Sequence, residues 1–248
     1  MRRNVLITGA SAGLGAEMAR QFAARGHDLA LTARRTDRLT ALRDEIVARH
    51  PARTVLVKRL DVNDHDQVFK VFGEAAGELG SLDRVIVNAG LGKGAPVGSG
   101  RFDANRETAM TNFVAALAQC EAAMQVFRAQ DAGHLVVISS VSAMRGLPKT
   151  MTSYAATKAG VASLAEGIRM EMLGKPIKVS TIFPGYIRSE MNEKVPKVPF
   201  IVDTATGVKA IVAAIESEKP KAVVPSWPWR PLAFAIRHLP LPLVRKLV

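Results

Sequence analysis

Asn4-Val-Leu-Ile-Thr8-Gly9-Ala-Ser-Ala-Gly13-Leu-Gly15, followed by a helical pattern over residues 16–25 and closed by Gly26, decides the fold of this 248-residue chain. An apolar run of strand formers passes through a glycine turn straight into a helix. Glycines permit the tight turn. They also let a pyrophosphate approach backbone N–H groups at the start of the helix, where the dipole favours negative charge. The spacing is Gly-x-x-x-Gly-x-Gly, not the commoner Gly-x-Gly-x-x-Gly, so the turn alone leaves a plain strand-to-helix loop open.

The same strand-then-helix rhythm continues along the chain, with strands expected near 4–8, 28–33, 54–59, 82–88, 134–140, 177–183 and 221–225. Such alternation predicts an α/β fold: about seven parallel strands, doubly wound, with helices on both faces. One domain is expected over residues 1–225, followed by a basic, Trp- and Pro-rich apolar extension over 226–248. Two segments interrupt the rhythm, the glycine-rich 91–100 and the stretch 186–203. Both follow the carboxyl ends of strands, where ligands bind in open α/β sheets.

Tyr154 and Lys158 lie four apart in Ser153-Tyr-Ala-Ala-Thr-Lys158. On a helix that spacing puts a phenol and an ammonium on one face. A cation beside a phenol lowers its pKa and makes it a better proton donor near neutral pH.

Composition removes several classes of function. A single cysteine, Cys120, cannot form an internal disulfide, and the five histidines show no metal-ligand spacing, so no metal is expected. The first strand starts within a few residues of Met1, which leaves no room for a signal peptide and leads to an expectation of cytoplasmic residence. The net charge is +12, and after Glu218 there is no acidic residue while Lys219, Lys221, Arg230, Arg237, Arg245 and Lys246 supply six positive charges. Five per cent aromatic residues and no nucleic-acid motif argue against a nucleic-acid partner.

Taken together, these residues resemble the classical short-chain dehydrogenase/reductase family over roughly residues 3–225. Thr8-Gly-Ala-Ser-Ala-Gly-Leu-Gly15 is similar to the family's cofactor loop, with Gly9, Ser11, Gly13, Leu14 and Gly15 in contact with the cofactor. Asp61-Val62 is similar to the adenine pair, and Asn88-Ala89-Gly90 to the Asn-Ala-Gly turn. Asn112, Ser140, Tyr154 and Lys158 resemble the catalytic tetrad, and Pro184-Gly185-Tyr-Ile187-Arg-Ser189 the segment that passes the nicotinamide amide. The family often has Thr where this chain has Ser189. Many members carry the catalytic serine thirteen residues before the tyrosine, a position held here by Val141 between Ser140 and Ser142. A one-residue insertion in the 145–153 loop restores Ser140, and Ser142 is the alternative. The resemblance implies a Rossmann fold binding a nicotinamide dinucleotide. It also implies a homo-oligomer paired through the helix bearing Tyr154 and Lys158 and the next long helix.

The second strand ends in Ala33, where NAD-preferring relatives usually carry an Asp for the ribose hydroxyls. Arg34 and Arg35 follow, two guanidiniums without a carboxylate, which suits the 2′-phosphate of NADP(H). By the resemblance, hydride passes between nicotinamide and a substrate carbonyl, Tyr154 donates the proton, and Ser140 hydrogen-bonds the same oxygen. Lys158 holds the nicotinamide ribose and lowers the tyrosine pKa. Asn112 positions a water that leads protons to Lys158. The competing expectation is a catalytically silent dinucleotide-binding or sensing protein on the same fold.

For substrate, the loop 191–202 turns apolar towards Phe200, Ile201 and Val202, pointing to a lipophilic ketone, a 3-oxoacyl chain or another lipid carbonyl. The same residues would equally pack the loop on the sheet. The extension 227–248 carries an apolar helix expected at about 232–239 among Pro231, Pro240, Pro242 and four Arg/Lys, which excludes a membrane-spanning helix. Two roles remain for it: peripheral contact with an anionic membrane, or packing over the substrate loop or a subunit interface.

Overall fold

The computed structural model describes residues 2–190 and 200–247. Strands β1 (Asn4–Thr8), β2 (Asp28–Ala33), β3 (Val55–Arg59), β4 (Arg84–Val87), β5 (Gly133–Ile138), β6 (Ile177–Pro184) and β7 (Lys221–Val224) pair in parallel in the order β3-β2-β1-β4-β5-β6-β7. All seven fall where the sequence places them, with ends within two residues of expectation. Their near-continuous apolar runs are those of a parallel sheet covered on both sides: Val5-Leu-Ile7, Leu29-Ala-Leu31, Val85-Ile-Val87 and Leu135-Val-Val-Ile138 are all buried.

Alternation along each strand divides the core in two. On one face Val5, Ile7, Leu31 and Ile182 pack with Met18 and Phe22 of α1 (Gly13–Ala24), Leu39 of α2 (Thr36–Arg49) and Val208 and Ile211 of α7 (Thr204–Glu216). On the other, Leu6, Val85 and Val137 pack with Phe72 of α3 (His65–Leu79), Phe127 of α5 (Ala115–Gln130) and Val161 of α6 (Thr152–Glu171). Strand order reverses between β1 and β4, and the crevice at that switch point opens at the strands' carboxyl ends. Helix α4 (Phe102–Ala109) runs into α5 through a π-helical turn, Met110–Val114, a geometry often found at functional sites.

The extension folds back onto the domain as α8 (Ser226–His238) and α9 (Leu241–Leu247). Helix α8 starts earlier than the apolar pattern indicates. Trp227 is extended (φ −106°, ψ 135°), so Pro231 falls in the first true turn, where a missing N–H costs little. Trp229, Ala233 and Ile236 are buried, and Trp229 packs on Gly185 so closely that a Cβ there would lie 2.3 Å from the indole. Arg145 caps the end of α8 by donating to Arg237 O (2.9 Å) and Leu239 O (2.8 Å).

Candidate active site

The glycine turn is seated on the start of the loop after β4. The Thr8 hydroxyl accepts from the N–H groups of Asn88 and Ala89, both at 3.0 Å, and Asn88 Nδ2 donates to Thr8 O at 2.9 Å. Gly9 has a φ of +66°, and a Cβ there would stand 2.9 Å from Ala89 Cα. A Cβ on Gly15 would come within 2.4 Å of Gly9 O. These positions exclude side chains, leaving Gly13 and Leu14 to open the helix beside bare backbone N–H groups. The cradle fits a pyrophosphate.

At the ends of β2 and β3 lie the residues expected to meet the adenosine. Ala33 closes β2. Asp61 N donates to Gln67 Oε1 (2.8 Å), its carboxylate accepts from Asn63 N (3.1 Å), and Val62 is buried. The arginines differ from expectation. Arg34 is exposed and makes no side-chain hydrogen bond or ion pair with a described residue. Arg35 donates to Ser11 Oγ through Nε (3.2 Å) and Nη2 (3.1 Å), and both its Nη atoms lie 3.3 Å from Glu190 Oε2. Arg38 pairs with the other oxygen of Glu190. The site therefore contains a carboxylate, brought from the segment after β6, and its second engaged guanidinium is Arg38. Arg38 could have been found as a third arginine in the first turn of the helix that follows Arg34 and Arg35. Glu190 carried no local signal.

The expected chemical residues come together at the carboxyl ends of β4, β5 and β6. Tyr154 and Lys158 lie on α6, and Ser140 follows β5. The Ser140 side chain lies beside the Tyr154 hydroxyl, and Ser142 N donates to Ser140 Oγ at 3.1 Å. Of the two serines, Ser140 is the one at the phenol. Lys158 is buried, its Nζ donates to Ile138 O at 2.9 Å and stands 5.9 Å from the centre of the Tyr154 ring. Burial pulls the Lys158 pKa down to about 8. The expectation that Lys158 lowers the tyrosine pKa is not met. Burial raises the Tyr154 pKa, the neighbouring Ser140 hydroxyl opposes that rise, and Tyr186 adds to it. The ammonium is directed at a strand-end carbonyl, which leaves desolvation of the phenol dominant.

Asn112 sits on the π turn and spends its amide on Leu91, accepting from Leu91 N and donating to Leu91 O, both at 2.8 Å. A Cβ on Gly90 would lie 3.1 Å from Asn112 Oδ1 and 3.5 Å from Lys158 Nζ, so these three residues meet. Pro184 ends β6, Gly185 N donates to Val224 O (2.8 Å), and Ile187 pairs with Val202. The Ser189 Cβ is 3.4 Å from where a Cβ on Gly13 would be, which places this segment across the glycine turn. Positions 191–199 of the expected substrate loop lie outside the described residues. Val202 packs on the core, whereas Phe200 is exposed and meets the Trp229 ring edge-on at 6.3 Å. Trp229 and Tyr186, 5.2 Å apart in a T-shaped pair, extend that aromatic surface to Gly185. The role of Trp229 was hidden because the tail is remote in sequence.

Comparison with known proteins agrees with this geometry. The family described as short chain dehydrogenase matches residues 3–198. The chain is 55% identical over 245 residues to an uncharacterized oxidoreductase of Mycobacterium tuberculosis, covering 99% of this chain and 97% of the relative. It is 32% identical over 243 residues to 11-beta-hydroxysteroid dehydrogenase 1A of Arabidopsis thaliana, covering 90% of this chain and 68% of the relative. A solved short-chain type dehydrogenase/reductase from Mycobacterium marinum superposes with a TM-score of 0.80 at 27% identity, covering 89% of this chain and 92% of that one. A doubly wound sheet, a glycine cradle at its switch point and a Ser-Tyr-Lys cluster beside it thus coincide with a match over most of the sequence: the chain belongs to the short-chain dehydrogenase family of oxidoreductases.

Proposed function

We propose that this protein is an NADPH-dependent reductase that converts a lipophilic ketone, or a 3-oxoacyl or other lipid carbonyl, into a secondary alcohol. The observation that carries the reading is Ser140 beside the Tyr154 phenol at the carboxyl end of β5, with the Lys158 ammonium buried behind them. The bound cofactor supplies the hydride. Gly9, Ser11, Gly13, Leu14 and Gly15 would hold its pyrophosphate, Asp61 and Val62 its adenine, and Arg34, Arg35 and Arg38 its 2′-phosphate. Asn88, Ala89, Gly90, Lys158, Pro184, Gly185, Ile187 and Ser189 would line the nicotinamide riboside.

Tyr154, a phenol that is protonated at neutral pH and whose pKa desolvation raises further, donates its proton to the carbonyl oxygen, a role typically worth ~10²–10⁴-fold in rate. Ser140 donates a hydrogen bond to the same oxygen and so stabilises the charge that develops there. Asn112 braces the turn that carries Gly90 against Lys158.

Lipophilicity of the substrate is supported by exposed Phe200 beside Trp229 and Tyr186, and by the steroid named for the Arabidopsis relative. Outward-facing Trp227, Phe234 and Leu241, with exposed Arg230, Arg237, Arg245 and Lys246, support peripheral contact with an anionic membrane. Among the described residues no helix is long and apolar enough to cross one.

The reading is tested by comparing NADPH- and NADH-driven reduction of ketones of increasing chain length. NADPH is expected to be the better donor. Values of kcat/KM should climb by about fourfold per methylene while the chain is being buried, the equivalent of ~0.8 kcal/mol for each CH₂. A flat chain-length profile would remove the lipid assignment, and equal rates with the two donors would remove the cofactor assignment.

A further inference from the structure

We infer that Glu190 is a built-in competitor for the anion that Arg35 and Arg38 are placed to hold, and that it thereby sets how strongly the protein selects NADP(H) over NAD(H). This rests on the proposed 2′-phosphate site. Glu190 lies 155 residues from Arg35 and 152 from Arg38, yet its two oxygens bridge both guanidiniums. Arg35 is tied in turn to the Ser11 hydroxyl of the glycine turn. Next to Glu190, Ser189 lies across Gly13, so the segment after β6 spans the opening in which an adenosine ribose would rest at the end of β2. The carboxylate is thus positioned on the ground that a 2′-phosphate needs. Arg38 and Arg35 hold its pKa below the usual carboxylate range, which keeps it charged at neutral pH.

All three side chains are about half exposed, at 44% for Arg35, 46% for Arg38 and 53% for Glu190. Exposed ion pairs of this kind are weak and displaceable. A phosphate monoester brings nearly twice the charge and three acceptor oxygens, so it can take the arginines from a carboxylate. With NAD(H) no displacement is needed, and the two guanidiniums stay neutralised by Glu190. Binding of NADP(H) is therefore weakened by competition while binding of NAD(H) is not, and selectivity narrows.

The test is Glu190→Gln, which keeps size and removes charge. Dissociation constants for NADPH, NADH and adenosine 2′-monophosphate would be measured on the full chain, with and without Arg35→Ala plus Arg38→Ala. The NADPH-over-NADH preference should rise about three- to thirtyfold in Glu190→Gln, the span of two exposed ion pairs. Adenosine 2′-monophosphate should tighten in parallel, and neither gain should survive in the doubly substituted background. An unchanged or reduced preference, or an equal gain without the arginines, would overturn the inference. The cofactor assignment is judged separately, by the preference of the unsubstituted protein: its failure would leave a shift in Glu190→Gln intact, and a wild-type preference for NADPH without such a shift would refute only the role of Glu190.

Discussion

Lys158 carries an ammonium in a place where burial has moved its pKa to about 8. An unfolded lysine titrates near ~10.4, so between about 8 and ~10.4 the unfolded chain holds the extra proton and stability rises with pH. Below that window both states are protonated and the folded state bears the whole cost of the buried charge. Lys158→Met is therefore expected to be more stable than the native chain at pH ~7 and to lose about 3 kcal/mol of that advantage across the window. Urea titrations at several pH values check this, and a pH-independent difference would contradict it. The two serines separate equally cleanly. Ser140→Ala should cost ~10²–10³ in kcat, the range for a lost oxyanion donor, and Ser142→Ala far less. Steady-state kinetics on both variants decide, and greater sensitivity of Ser142 would reverse the assignment. Tyr154 and Lys158 were legible because helical spacing places them on one face and the glycine turn and accompanying motifs single that pair out. Of the proposed anion site only Arg35 was singled out from sequence; Arg38 lies on the same helix start but went unmarked, and Glu190 reaches both through the tertiary fold.

Among the elements, the strands were readable because a parallel sheet buried on both faces leaves unbroken apolar runs between glycine and helix signals. The π turn at Met110–Val114 was not readable, because nothing in Met-Thr-Asn-Phe-Val distinguishes it from α-helix. Helix α8 was misjudged at its start because Pro231 reads as a breaker, although a first-turn proline is tolerated. Its two tryptophans now predict opposite outcomes. Trp229 is 2% exposed against Gly185, so Trp229→Ala should destabilise the fold by about 3–5 kcal/mol. Trp227 is 79% exposed, and Trp227→Ala should stay within about 0.5 kcal/mol. Denaturant midpoints for the pair test this, and comparable losses would mean that the buried face of α8 is not what anchors the tail.

At the scale of the whole molecule, the extension serves two surfaces at once, burying Trp229, Ala233 and Ile236 inward and showing Trp227, Phe234 and Leu241 outward at 79, 68 and 63% exposure. The sequence offered packing and membrane contact as alternatives because both need apolar residues, and only the fold shows which side chains face which way. Replacing the three outward residues by Gln, with Trp229 kept, should abolish sedimentation with phosphatidylglycerol vesicles at low salt while a small soluble ketone is still reduced. Unchanged vesicle binding would refute the membrane role. The central claim is that Tyr154 is the proton donor in NADPH-driven carbonyl reduction. It is tested most directly by single-turnover NADPH oxidation with a lipophilic ketone, comparing the native chain with Tyr154→Phe and measuring NADPH affinity for both. The expected result is a loss of ~10²–10⁴-fold in the chemical step with NADPH affinity nearly unchanged; a Phe variant that turns over at a near-native rate would contradict it.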